Sequence, residues 1–127
     1  MSSNDDNRAQ FERFIDLFYR QGAIREAFET CVAENYIQHN PQAGDGRDGA
    51  IAFLEGMLAT MPGASIDVKR VLVDGDLCAV HSNFKPSPEE PGFAEIDIFR
   101  IENGKIAEHW DVMQPVPAES TNSNGMF

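Results

Sequence analysis

Acid–base chemistry is the reaction type that the ionisable residues of this 127-residue sequence could support. The chain has three histidines, His39, His81 and His109, and none of them lies in a terminal tail. Two aspartates, Asp97 and Asp111, fall in segments that otherwise alternate like β-strands. Aspartate is a poor strand former, so its presence in the middle of two strands requires an explanation.

The turn at Asn103-Gly104 decides which residues these two strands bring together. In one register, Glu102-Asn103 form a type I turn and Gly104 takes the left-handed bulge position. Asp97 then lies directly opposite His109, with Asp111 as a diagonal neighbour on the same face.

A two-residue turn at Asn103-Gly104 is the alternative, and it would place Asp97 opposite Trp110. We favour the bulged register because it gathers the polar groups on one face of the hairpin. The other face then holds four apolar residues: Ile96, Ile98, Trp110 and Val112.

An aspartate beside a histidine is the usual arrangement for fixing an imidazole tautomer or for keeping a carboxylate ionised inside a pocket. An imidazole with a pKa near ~6.5 exchanges protons at neutral pH. A carboxylate in a closed apolar site is a stronger base than it is in water. Together such groups could remove a proton next to a carbonyl and stabilise the resulting enolate. The structural alternative is a satisfied buried pair without chemistry.

Metal binding is a further alternative, because three histidines and a carboxylate could hold zinc or iron. The sequence has no HxH or HxxxH spacing. We therefore predict no metal and no cofactor.

The elements that must position these groups follow from the hydrophobic periodicity. It predicts three helices, at residues 7–21, 23–35 and 48–61, with Asp48 as the N-cap of the third. From residue 64 the period changes to two, which predicts two antiparallel hairpins: residues 64–73 with 77–85, and 93–101 with 106–114. Helices followed by strands are typical of the α+β class.

Composition limits the remaining possibilities. The formal net charge of -11 argues against nucleic-acid binding and against a polybasic membrane contact. There is no apolar run of membrane-spanning length and no signal peptide, so we expect a cytoplasmic protein. Cys31 and Cys78 belong to no CxxC pair and are expected to be reduced and buried. The length fits one domain over residues 1–127, with disordered ends at about 1–6 and 118–127.

Five segments closely resemble the SnoaL-like polyketide cyclase family of the nuclear transport factor 2-like superfamily. The segment Glu108-His109-Trp110-Asp111-Val112, following the turn Asn103-Gly104-Lys105-Ile106, is the most specific of them. The others are Tyr36-Ile37-Gln38-His39-Asn40-Pro41, Val80-His81 and Asp97-Ile98-Phe99-Arg100. The resemblance covers roughly residues 8–117.

The resemblance implies a cone-shaped α+β barrel, in which three N-terminal helices pack on a curved antiparallel sheet around a pocket. It also implies a homodimer packed through the sheet, and an aspartate that acts as acid and base in an aldol ring closure without metal or cofactor. Carried over by motif, that aspartate is Asp97 or Asp111, with His109 and His81 as partners.

The sequence thus predicts a cofactor-independent enzyme of the aldol cyclase or isomerase type, acting on a small or medium carbonyl compound. The residues expected to contact this ligand are His39, Tyr36, Trp110 and Asn83. Two alternatives stay open: a non-catalytic small-molecule-binding protein of the same fold, and a structural dimerisation module.

Overall fold

Three helices form the N-terminal half of the protein, in a computed structural model that describes residues 4–127. They are α1 (Asn4–Ile15), α2 (Ile24–Cys31) and α3 (Gly46–Ala59), with a π-helical turn at Asp16–Arg20 between the first two. Of the residues expected to be disordered at the N-terminus, 4–6 are helical and 1–3 lie outside the described residues. Phe11, Phe14 and Ile15 of α1 are fully buried and anchor this half on the sheet.

Helices α2 and α3 also have boundaries that differ from the sequence prediction. Helix α2 ends at Cys31 rather than near residue 35, because Val32 is already extended and begins strand β1 (Val32–Gln38). Helix α3 begins at Gly46 with Asp45 before it, so the prediction of Asp48 as the N-cap was wrong. Gly46 has a φ of 72°, and a Cβ there would approach the backbone oxygen of Glu34 to 3.0 Å. A glycine therefore lets the start of α3 pass close to β1.

The sheet has five strands in the order β1-β5-β4-β3-β2. The last four are β2 (Ser65–Asp74), β3 (Leu77–Lys85), β4 (Phe93–Glu102) and β5 (Lys105–Pro115). These four are antiparallel, as predicted, with a bulge in β2 between Val68 and Arg70. Strand β1 is parallel to β5, and the sequence analysis did not predict it as a strand. The predicted α+β architecture is confirmed, with a mixed rather than an antiparallel sheet.

The β4–β5 hairpin has a register that neither of the two expected turns alone provides. Asn103 and Gly104 both have positive φ and form the two-residue turn, so the favoured three-residue turn was wrong. A bulge at Ala107 then shifts the pairing by one residue. Asp97 consequently lies opposite Asp111, and neither His109 nor Trp110 is its direct partner.

The helices cover one face of the sheet, here called the inner face, and leave the outer face open. Inner-face residues such as Val80 and Phe99 are buried with the helices in the core. Cys31 and Cys78 are both free and buried, as predicted, and burial raises the pKa of the Cys78 thiol to about 12. None of the helices between residues 4 and 127 is long and apolar enough to cross a membrane.

Candidate functional site

A cavity of about 130 Å³ lies between the helices and the inner face of the sheet. This is roughly ten times the space that one water molecule needs. Most of its wall is aromatic or aliphatic. Polar side chains gather at the β4–β5 side: Tyr19, Tyr36, Gln38, Asn40, Glu95, Asp97, His109 and Asp111. An apolar cavity with a few convergent polar groups is the usual form of a small-molecule site.

Asp97 and His109 form the centre of this polar group, which we call the polar cluster. Both lie on the inner face of the β4–β5 hairpin and both are buried. The Nε2 atom of His109 is 2.8 Å from Oδ1 of Asp97. The hydroxyl of Tyr19 donates to the other carboxyl oxygen of Asp97 at 2.7 Å. Tyr19 reaches this position from the π-helical turn, a structure that often occurs at functional sites.

Strand β1 supplies the partners of the second imidazole nitrogen. In the parallel pairing with β5, Gln38 lies beside His109. Its Oε1 atom is 2.7 Å from Nδ1 of His109, and its Nε2 donates to the hydroxyl of Tyr36. The His109 ring is therefore held at both nitrogens, between one carboxyl group and one amide.

Two further carboxyl groups adjoin the central pair. Asp111 faces Asp97 across the hairpin, and its Oδ2 accepts a hydrogen bond of 2.8 Å from Asn40. The same oxygen is 3.6 Å from Nε2 of His109. Glu95 precedes Asp97 on the same face and shares a hydrogen bond with it. Like charges directly opposite each other destabilise a strand pair, so the cluster favours partial protonation.

Burial controls the protonation of the cluster. It raises the pKa of Asp97 to about 6; hydrogen bonds from Glu95 and Tyr19 oppose this increase, and the charge of Asp111 adds to it. Burial is also the largest cause that raises the pKa of Glu95 to about 10, and the charges of the nearby Asp97 and Asp111 raise it further. It lowers the pKa of His109. At neutral pH Glu95 is thus a neutral acid, and Asp97 titrates near the pH at which it could exchange a proton with a ligand.

The cluster can therefore both accept and donate protons inside a space from which the apolar wall excludes much of the solvent. Burial and the neighbouring Asp97 raise the pKa of Tyr19, so its hydroxyl stays a donor. Burial raises the pKa of Tyr36 in the same way. Donors of this kind stabilise negative charge on a carbonyl oxygen.

The same centre could hold a divalent cation. Asp97, His109 and Asp111 each offer one ligand atom, and these atoms lie within 4.8 Å of one another. Carboxylate and imidazole together suit zinc, iron or manganese. The absence of a metal and of a cofactor stays a prediction.

His81, one of the expected partners of the aspartates, is not part of the polar cluster. It lies on the outer face of β3, pairs across the strands with Ile96, and contacts Arg70 through Nδ1. Its ring also lies 5.6 Å from that of Phe127. The strand alternation that brings Val80 into the core turns His81 away from the cavity.

Among the four residues expected to contact a ligand, only Tyr36 lines the cavity. His39 and Trp110 stack on each other at 5.2 Å on the outer face, where His39 also contacts Glu108 at 2.7 Å. Asn83 is buried, but its amide donates to the backbone oxygens of Pro91 and Phe93 and so holds the β3–β4 loop.

Sequence reasoning missed Tyr19, Gln38 and Asn40 as members of the cluster. Period-two alternation starting from Tyr36 would have indicated Gln38 and Asn40, because it places both on the same face as Tyr36. Tyr19 had a weaker signal, since it follows Leu17-Phe18 in a helix whose local π geometry cannot be read from the sequence.

Solved structures with the same architecture cover most of this chain. TsrD from Streptomyces laurentii is 25% identical, with a TM-score of 0.69 over 89% of this chain and 91% of that one. A candidate ketosteroid isomerase from Kribbella flavida is 20% identical, with a TM-score of 0.73 over 93% and 84%. A candidate polyketide cyclase from Bacillus cereus is 23% identical, with a TM-score of 0.70 over 85% and 74%. Comparison with curated protein sequences gives no significant match.

These likenesses define the class of fold: three helices packed on a five-stranded mixed sheet, as in nuclear transport factor 2-like proteins. Within that class the sequence itself matches the SnoaL-like domain over residues 11–109. The chain belongs to the SnoaL-like domain family, and the predicted resemblance is confirmed.

Proposed function

We propose that this protein is a cofactor-independent acid–base enzyme of the aldol cyclase or isomerase type. It acts on a small or medium carbonyl compound bound in the cavity. The observation that carries the proposal is the contact between Asp97 and His109 at the polar end of an otherwise apolar cavity, beside the hydroxyl of Tyr19. Its structural neighbours include candidate cyclases and a candidate isomerase, which supports a family of this kind.

Two carboxyl groups take different roles in the proposed reaction. Asp111 is less buried than Asp97, and its Oδ1 atom forms no hydrogen bond with any residue of the described chain. It is therefore the base that removes a proton from the carbon next to the carbonyl. Asp97 has both oxygens in hydrogen bonds and returns a proton to the oxygen on which negative charge develops, assisted by Tyr19.

The charge of the cavity wall limits the substrate class. Among residues 4–127, no lysine or arginine lines the cavity, whereas three carboxyl groups do. A phosphate, a carboxylate or a coenzyme A ester would find no cation there and would be repelled by Asp111. The proposed substrate is accordingly uncharged, with an apolar body that fits the aromatic wall.

Ring closure of 2,6-heptanedione and hydrogen–deuterium exchange of acetophenone in D₂O, both followed by NMR, test this proposal. We expect the wild type to accelerate one or both, and Asp111→Asn and Asp97→Asn to lower the rate by roughly 10²–10⁴-fold. Asp67→Asn, on the outer face and 66% exposed, is the matched control and should keep the wild-type rate. Saturable ligand binding without turnover or exchange would instead favour a non-catalytic binding protein.

We also propose that the protein is a homodimer formed through the outer face of the sheet. Ile96, Ile98 and Val112 expose 40%, 39% and 69% of their surfaces there, close together on adjacent strands. Exposed apolar patches of this kind mark interaction sites. Sedimentation should give a dimer for the wild type and a monomer for Ile98→Lys; a monomeric wild type would contradict the proposal.

A further inference from the structure

The side-chain amide of Gln38 is held in one orientation. Its Oε1 atom accepts a hydrogen bond of 3.0 Å from the backbone N–H of Asn40. A backbone N–H can only donate, so the opposite orientation would place two donors against each other. The remaining amide contact, from Nε2 to the hydroxyl of Tyr36, agrees with this orientation. The oxygen of Gln38, and not its nitrogen, therefore faces His109.

This orientation determines where His109 carries its proton. The Nδ1 atom of His109 is 2.7 Å from Oε1 of Gln38, which has no hydrogen to give. Nδ1 must be the donor. In the neutral imidazole the other nitrogen, Nε2, is then unprotonated, and Nε2 is the atom that lies 2.8 Å from Asp97.

We propose that Gln38 is a positioning residue that fixes His109 as the Nδ1–H tautomer, so that Asp97 and His109 share a single proton. Without that proton two lone pairs would meet at hydrogen-bond distance. The proton lies on Oδ1 of Asp97 when the pair is neutral and on Nε2 of His109 when it is an ion pair. The titratable groups that face the pair are Tyr19, Tyr36, Glu95 and Asp111.

Burial favours the neutral form of the pair, because it raises the pKa of Asp97 and lowers that of His109. When the pair holds its proton, that proton therefore lies mainly on Oδ1 of Asp97. A backbone hydrogen bond also helps to keep Gln38 beside His109: the N–H of His39 donates to the backbone oxygen of His109 at 3.1 Å and holds β1 against β5.

The tautomer also provides a return path for the proton, and this consequence rests on the proposed function. Nε2 of His109 is 2.8 Å from Asp97 and 3.6 Å from Asp111. After turnover Asp111 holds the proton taken from carbon and Asp97 lacks the one given to oxygen. Nε2 can accept the first proton and pass one to Asp97, which restores both groups without a net change.

The first test is nitrogen NMR of the EDTA-treated protein with ¹⁵N-labelled histidine, without any substrate. Single substitutions to asparagine assign the signals of the three histidines. We expect a protonated Nδ1 in His109 at neutral pH, and an Nε2 that is unprotonated or shares its proton. Gln38→Met removes the acceptor and should give a mixture of tautomers. Gln38→Glu keeps an acceptor at the same place and should restore the Nδ1–H form.

Gln10→Met, on the exposed side of α1, is the matched control and should leave the His109 signals unchanged. A wild-type His109 protonated at Nε2 and not at Nδ1 would overturn the proposal. So would a Gln38→Met protein that keeps the wild-type tautomer. If Gln38→Met does not fold, the wild-type spectrum still decides.

Kinetics separate this inference from the proposed function. With 2,6-heptanedione we expect Gln38→Met to lower kcat by roughly 10–100-fold with little change in KM, and Gln38→Glu to recover part of the loss. The Nδ1–H tautomer in a protein without turnover would support the positioning role and contradict the enzyme. Full turnover with the opposite tautomer would contradict the positioning role alone.

Discussion

The two faces of the sheet each carry a histidine with a charged neighbour, and the two sites have opposite surroundings. On the inner face His109 is 8% exposed and lies between the carboxyl group of Asp97 and the amide of Gln38. On the outer face His81 is partly exposed and contacts the guanidinium of Arg70. The residue type is the same, but only the inner histidine is buried and has proton-sharing partners.

This difference indicates what turns an ionisable residue into a site. Partial burial, followed by the positive charges of Arg70 and Lys69, lowers the pKa of His81, and all three influences favour the neutral imidazole. At His109, burial lowers the pKa while Asp111 and Glu95 raise it. Opposed influences of that kind keep the pKa of a group near the pH at which it works, and acid–base catalysis requires this.

Truncation of one apolar side chain on each face of β4 should give the largest contrast. Phe99 packs against Phe11 and Phe14 and lies 4.8 Å from the His109 ring, whereas its chain neighbour Ile98 points outward. Phe99→Ala should lower the free energy of unfolding by about 3–5 kcal/mol. Ile98→Ala should cost less than about 1 kcal/mol, measured by urea unfolding at a concentration that keeps the chain monomeric. Equal losses would contradict the assignment of the two faces.

The histidines themselves should differ by a smaller amount. His109→Asn leaves the buried carboxyl of Asp97 without its partner and should cost about 1–3 kcal/mol. His81→Asn should change the free energy of unfolding by no more than about 0.5 kcal/mol. The same urea titration measures both variants. A large loss of unfolding free energy in His81→Asn would show that His81 contributes to the stability of the fold.

The pH dependence of stability tests whether the Glu95 carboxyl on the inner face is protonated in the folded protein. Because the folded pKa of Glu95 is about 10, against ~4.3 for an unperturbed glutamate, the native state holds more protons than the unfolded state between these values. The stability contributed by this group is complete below ~4.3 and is lost as the pH rises through about 10. One proton of difference over three pH units is worth about 4 kcal/mol, so we expect Tm to fall by roughly 10–15 °C between pH 6 and pH 9. Glu95→Gln should reduce the change of Tm with pH. An unchanged pH dependence would show that another group causes it.

The smallest effect concerns an inner-face polar group outside the cluster. Ser82 is fully buried on β3, and its hydroxyl has no hydrogen-bond partner among residues 4–127. Ser82→Ala should leave the stability unchanged or raise it by up to about 1 kcal/mol, because an unsatisfied group is removed. A destabilised variant in thermal unfolding would mean that the hydroxyl has a partner, such as a buried water molecule.

The sequence predicted much of the fold because its signals were local. Apolar spacing indicated the three helices, and the alternation at residues 77–85 gave the bounds of β3 without error. Strand β1 was missed because its apolar residues follow those of α2 without a break, and only pairing with β5 makes the segment a strand. The bulge at Ala107 has no local signal either, and it decides which residue faces Asp97.

By itself the sequence determined the family, the three helices, the four strands of the two hairpins, and the placing of His109 and Asp111 on one face of β5, because side-chain alternation along a strand is a local property. Tertiary structure alone decided which groups share a proton. Tyr19, Gln38 and His109 are far apart in the chain, and they meet only because the helices and β1 pack against β5. Contacts between such distant residues depend on packing, which no local pattern records.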